Sequence, residues 1–311
     1  QTINTNGTMN YIFGDQKKGS YASVSDPNSA DLTWETVSTW NVGLDLGFLN
    51  NRLNLTADAY VRDTKGMQTS GKKLPGAYGA NEPKQNAANL RTKGWELMLT
   101  WNDAFKLANK PFRYNLSVGL ADNTSEITKF DNPSKILSDY YVGQKLGDIW
   151  GYVVDGLFRT DEEAANYNVD QTAVNFVINT AQVNPGLHAG DMKFVDLDGD
   201  HTISSGSNTA DDPGDRKIIG NSLPRYTYSI QGGFDWYGFD FSIYLQGVGH
   251  QDWYPGTNSV FFWGPYARPY SSFIPRDFLS QVWSPENPDA YFPRPIGYLA
   301  LGNNRSLGVV N

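Results

Sequence analysis

Three carboxylates spaced two apart, Asp196, Asp198 and Asp200, are followed by Thr202 and Ile203, with Gly199 between the last two acids. Carboxylate oxygens at alternate positions, then a backbone carbonyl and an apolar anchor, are what a hard divalent cation takes from an EF-hand-like loop. Ca2+ suits such crowding better than magnesium, which keeps a water-rich octahedral shell. The pattern departs from that loop at His201, where glycine is usual, and at Ser207, where the closing carboxylate is missing. An Asx-turn hairpin without any ion is the plain alternative.

A second group is aromatic. Residues 250–298 carry Trp253, Tyr254, Phe262, Trp263, Tyr266, Tyr270, Phe278, Tyr291 and Phe292 among prolines and glycines. Most of these rings are expected to form the small core that a long ordered loop needs. Trp253, Trp263 and Tyr266 are the ones assigned to substrate or partner contact, because large rings dominate interface energetics. Other chemistries fall away. Gly66 to Lys73 nearly spells a phosphate loop, but Lys73 stands where a Ser or Thr must hold magnesium. His188, His201 and His250 lack zinc-ligand spacing, no Gly-x-Ser-x-Gly elbow occurs, and cysteine is absent. The expectation is a protein that is not an enzyme, although carboxylate pairs for glycoside cleavage are open to any acidic β-protein.

The elements that must position these groups read as strands. The chain has 311 residues, 31 Gly, 16 Pro, 14% aromatics and 19% charged residues, which excludes coiled coil and disorder. Its net charge of −8 repels phosphate backbones, so no nucleic acid partner is expected. Six segments alternate apolar and polar residues: 40–48, 53–61, 95–101, 112–120, 226–236 and 239–245. Links between them alternate short and long. Residues 49–52, 102–111 and 237–238 are the short ones, and 62–94, 121–225 and everything after 246 are long. Outer-membrane barrels have short turns at one end and long loops at the other, with aromatic girdles near both. Trp40 and Phe48, Trp95 and Trp101, Phe112 and Tyr114, and Tyr226 and Trp236 fall where girdles belong. A soluble β-sandwich alternates in the same way and stays open on pattern alone. No run approaches the 18 apolar residues of a membrane helix, a test that tilted strands escape.

Four stretches carry a likeness. They are Asn89-Leu90-Arg91-Thr92-Lys93-Gly94-Trp95-Glu96; Tyr141-Val142-Gly143-Gln144 with Gly147-Asp148-Ile149-Trp150-Gly151-Tyr152 and Asp155-Gly156-Leu157-Phe158; Gly190-Asp191-Met192-Lys193-Phe194 with Asp215-Arg216 and Ile219-Gly220-Asn221; and Trp283-Ser284-Pro285-Glu286-Asn287-Pro288-Asp289-Ala290-Tyr291 with Pro293-Arg294-Pro295. In them the chain resembles the TonB-dependent outer-membrane transporters of the SusC/RagA family. The resemblance implies an all-β fold, an antiparallel transmembrane β-barrel with long extracellular loops, of which this chain is part of a 22-stranded whole. Residues 1–311 would be a C-terminal portion of the barrel, 125–223 a long extracellular loop carrying the Asp loop, and 251–311 an aromatic-rich extracellular loop. It further implies import of glycans or peptides across the outer membrane of a Gram-negative, Bacteroidetes-like cell. The implied partners are a SusD-like surface lipoprotein, the lipid bilayer, and the TonB complex acting through a plug domain outside this chain. In the family an Asp just before Arg usually completes the Asp loop, and here that is Asp215. A secreted carbohydrate-binding or carbohydrate-active sandwich with structural calcium is the competing expectation.

Overall fold

The computed structural model describes residues 3–13, 17–24, 29, 32–70, 82–174, 186–255, 262 and 274–294. The chain divides into two compact units. The first comprises residues 1–133, 140–145 and 226–247, and the second residues 134–139, 146–225 and 248–311.

The first unit begins with a two-stranded antiparallel ribbon, β1 (Ile3–Phe13) and β2 (Lys17–Val24), which the alternation pattern had not indicated. Six further strands form one antiparallel sheet: β3 (Thr36–Phe48), β4 (Leu53–Ser70), β5 (Lys84–Leu107), β6 (Lys110–Lys129), β11 (Arg225–Trp236) and β12 (Phe239–His250). Their order is β12-β11-β6-β5-β4-β3, so every strand lies beside its neighbour in this series. All six expected strands are present, and most are longer than the alternation suggested.

The expected ten-residue link at 102–111 is in fact mostly strand. Pairing continues to Leu107 opposite Lys110, leaving only Ala108 and Asn109 as the turn. Both take positive φ, 49° and 61°, as Tyr237 (51°) and Gly238 (85°) do in the next hairpin. Two left-handed central residues match the right-handed twist of flanking strands. Pro111 is tolerated because it sits near the strand start, where a missing N–H costs little. The expected long link at 62–94 likewise shortens, since β4 and β5 remain paired as far as Ser70 and Lys84.

Register places the apolar alternates on one surface. Leu46, Leu55, Leu99, Val118 and Ile230 form a row across five strands, each opposite the next. That surface is bare among the described residues: Trp40 is 83% and Val42 77% exposed, and Leu44, Leu97, Leu99, Leu116, Phe241 and Ile243 are also exposed. A sandwich would bury these side chains beneath a second layer. Above the row the same surface turns polar, with Asp63 and Arg91 in a two-pronged ion pair at 2.7 and 3.0 Å. Near the turn end, four phenylalanines form a row across four strands: Phe105 lies tilted against Phe112 at 5.0 Å, and Phe112, Phe234 and Phe241 stack at centroid spacings of 5.4 and 5.4 Å. Residues 53–61 rise roughly 26 Å at ~3.3 Å per residue. A tilt of about 40° reduces that to some ~20 Å, near the apolar height of outer-membrane barrels.

The opposite surface is polar and close-fitted. Thr56 donates to Asp45 at 2.7 Å, Thr100 and Ser117 hydrogen-bond at 3.1 Å, and Tyr60 lies over its cross-strand partner Gly94. A Cβ at Gly94 would stand 2.5 Å from the Tyr60 ring, so glycine there makes room for the aromatic.

The second unit is built from short pieces. β7 (Asp148–Tyr152) pairs with β10 (Arg216–Asn221), and β8 (Val154–Leu157) with β9 (Met192–Phe194). Helix α1 (Asp161–Ala165) is capped by Thr160, whose hydroxyl accepts the Glu163 N–H. Its core gathers Val174, Met192, Phe194, Ile203, Phe278 and Val282. Gln171, fully buried, acts as a surrogate strand: its amide donates to the Met192 carbonyl at 3.0 Å and accepts the Phe194 N–H at 2.6 Å. The quoted motifs meet here. Asn221 donates to the Leu146 carbonyl and to Asp148, both at 3.0 Å, and Arg294 clasps the buried Asp191 at 2.6 and 3.0 Å.

Candidate functional site

The Asp loop follows directly from β9, whose Phe194 anchors it in the core. Asp196 folds the chain back on itself, accepting the N–H groups of Gly199 at 2.7 Å and His201 at 2.9 Å. His201 takes φ +64°, so it adopts the left-handed turn for which glycine is the ordinary choice. Ile203, the expected apolar anchor, is fully buried. Asp215 arrives from just before β10 and is also fully buried. It spans the loop, accepting Leu197 N–H at 2.8 Å with one oxygen and Ser204 N–H at 2.7 Å with the other.

Asp196, Asp198 and Asp215 thereby bring one carboxylate oxygen each within 4.8 Å of one another. Asp200 is not in that cluster; it accepts the Thr202 N–H at 2.7 Å, and Thr202 bridges to Asp170. The electrostatics are those of crowded negative charge. The Asp200 N–H works to lower the Asp198 carboxyl, but desolvation and the charges of Asp215, Asp200 and Asp196 outweigh it and hold the group above its ordinary value. At Asp196 desolvation is outweighed by the His201 and Gly199 N–H groups and the His201 ring, and the carboxyl is held low. Three hard oxygen donors at this spacing, one of them unfavourably charged, fit a divalent cation.

The aromatic group divides as its two roles demand. Phe278 belongs to the core, and Phe262 and Phe292 pack against it. Trp253 is 70% exposed and lines a cleft of about 660 Å³, walled by β8, Lys193, residues 253–255 and residues 288–293. Trp263 and Tyr266 lie outside the described residues. Tyr291, which was grouped with the core rings in sequence, is 74% exposed on the same cleft.

A bare apolar sheet surface, a polar opposite surface, an aromatic row and alternating short and long links define a stretch of transmembrane β-barrel wall. The chain belongs to the family described as TonB dependent receptor-like, beta-barrel, which matches residues 2–273. Among relatives, the TonB-dependent receptor SusC of Bacteroides thetaiotaomicron is 31% identical over 245 residues, covering 76% of this chain and 21% of that protein. TonB-dependent receptor P39 of Formosa agariphila is 28% identical over 238 residues, 69% of this chain and 22% of that protein. The chain therefore spans about a fifth of the length of these curated relatives. Among solved structures, the RagAB peptide transporter aligns with a TM-score of 0.60 at 18% identity, over 94% of this chain and 29% of that one, a likeness of fold.

Proposed function

We propose that the chain forms part of the wall and outer loops of an importer in the outer membrane of a Gram-negative, Bacteroidetes-like cell. It takes up glycans or peptides with a SusD-like surface lipoprotein, driven by TonB through a plug domain. In this reading the chain makes and breaks no bond. Its sheet keeps hydrocarbon on one side and water on the other, and its second unit provides selective surface.

The observation that carries the reading is the uncovered row from Leu46 to Ile230, bounded by the Asp63–Arg91 ion pair and by the phenylalanine row. Exposed apolar area of that extent calls for a covering of lipid or protein, and the polar border on one side with the ring row on the other favours lipid. In the same reading Asp196, Asp198 and Asp215 hold Ca2+, with Asp200 and Thr202 completing the loop around it. The cation would offset the mutual repulsion at Asp198 and lock the loop between β9 and β10.

Membrane fractionation of cells expressing the full-length protein tests the importer reading. The protein is expected in the outer-membrane fraction, migrating faster on a gel unheated than boiled, as closed barrels do. Recovery solely in the soluble fraction would sink the reading.

A further inference from the structure

We propose that the outward surface of β4 and β5, just above the apolar row, binds the phosphate group of an outer-leaflet lipid, with Lys93 as the anchoring cation. This rests on the importer reading and adds to it one lipid chemistry at one depth.

The charges at that level do not cancel. Register sets Asp63 of β4 opposite Arg91 of β5, and Arg91 opposite Glu126 of β6, all on the outward surface. Lys65, two residues beyond Asp63, acts through space on the Asp63 carboxylate, as Glu126 does on the Arg91 guanidinium. These four alternate in sign along the rim and balance one another. Lys93 is left over. It is exposed in the row Trp40, Val61, Lys93 and Thr124, and among the described residues no carboxylate pairs with it. Asp122, opposite Trp95, is buried and accepts the Tyr226 N–H at 3.3 Å.

Depth decides what this surplus cation meets. Lys93 and Phe105 stand six residues to either side of Leu99 on β5, so Lys93 and the phenylalanine row mark opposite edges of one band. Six residues rise roughly 20 Å along a strand, or ~15 Å along the membrane normal at a tilt of about 40°. The apolar band of a barrel is about 25 Å tall, which puts Lys93 just past the hydrocarbon, where headgroup phosphates lie. Trp40, 83% exposed in the same row, is a ring of the kind that settles at that level. This end of β4 and β5 carries the longer link, which in outer-membrane barrels faces outside, so the leaflet concerned is the outer one. A phosphate oxygen accepts from the Lys93 ammonium in a medium less polarisable than water. The Arg91 Nη1, which the two bonds to Asp63 leave unused, is a second donor one row away.

The test is native mass spectrometry of the full-length receptor in detergent micelles, titrated with monophosphoryl lipid A. Its dephosphorylated counterpart and inorganic phosphate serve as comparators. The phosphorylated lipid is expected to bind about tenfold more tightly than the dephosphorylated one. Lys93→Gln should weaken it about fivefold, and Lys93→Arg should keep it. Lys110→Gln, at the opposite edge of the band, should leave it unchanged. Lys93 is exposed, so its variants are expected to fold, which heat-modifiable migration verifies. Equal binding of the dephosphorylated lipid, unaltered binding by Lys93→Gln, an equal loss with Lys110→Gln, or displacement of the lipid by inorganic phosphate overturns the proposal. A receptor found in the outer membrane that shows no preference for the phosphate defeats this inference alone; one found in the soluble fraction defeats the importer reading itself.

Discussion

Asp198 has the most revealing position of any residue in the loop, because its neighbours push its carboxyl above the ordinary range while holding it beside two other acids. A raised carboxyl in the folded state favours protonation. Its contribution to loop stability is therefore present at low pH and lost as pH rises through its folded pKa. Calcium reverses the sign, since it binds the ionised form. Hydrogen–deuterium exchange of residues 196–215 in the full-length protein should show this. With a chelator, protection attributable to Asp198 declines as pH rises past the carboxylate range; with calcium, it increases. Asp196 is held low and acts in the opposite direction, so the comparison with Asp198→Asn isolates the effect. Identical profiles with chelator and calcium would remove the ion from the loop. The acids at 196, 198 and 200 were legible from spacing, and Asp215 from the family likeness. The bonds of Gln171 and the pairing of Arg294 with Asp191 were not, because the partners lie 21 to 103 residues apart and nothing local says which groups will meet.

The strands were legible wherever one side faces hydrocarbon, because only there does burial force strict alternation. Beyond Val61 on β4, the outward positions become Asp63 and Lys65, and beyond Trp95 on β5 they become Lys93 and Arg91. Pairing continues there, but the pattern that reveals it stops. The same geometry gives a sharp contrast between adjacent residues. Leu99 lies in the outward row, opposite Leu55 and Val118, while Met98 faces inward opposite Thr56 and Gly119. Leu99→Arg should destabilise the full-length barrel by about 2–4 kcal/mol in lipid, and Met98→Arg by about 1 kcal/mol or less. Urea unfolding in liposomes reads the difference, and equal costs would contradict the assignment of faces.

That the two long loops close into one compact unit was not visible in the sequence, since that unit is assembled from three separate stretches that become neighbours only on folding. In the large sheet β3 and β12 each have one strand neighbour among the described residues, and their open sides present unpaired backbone groups. The 311-residue chain expressed by itself in aqueous buffer should therefore self-associate and disperse on addition of detergent, as light scattering would report. A stable monomer without detergent would count against the barrel wall. The small sheet of the second unit solves its own edge differently. Gln171 fills the outward bonding slots of β9 at Met192 and Phe194 with a side-chain amide. Both slots lie in the buried core, where no water could take them up, so one glutamine keeps an N–H and a carbonyl from being stranded there.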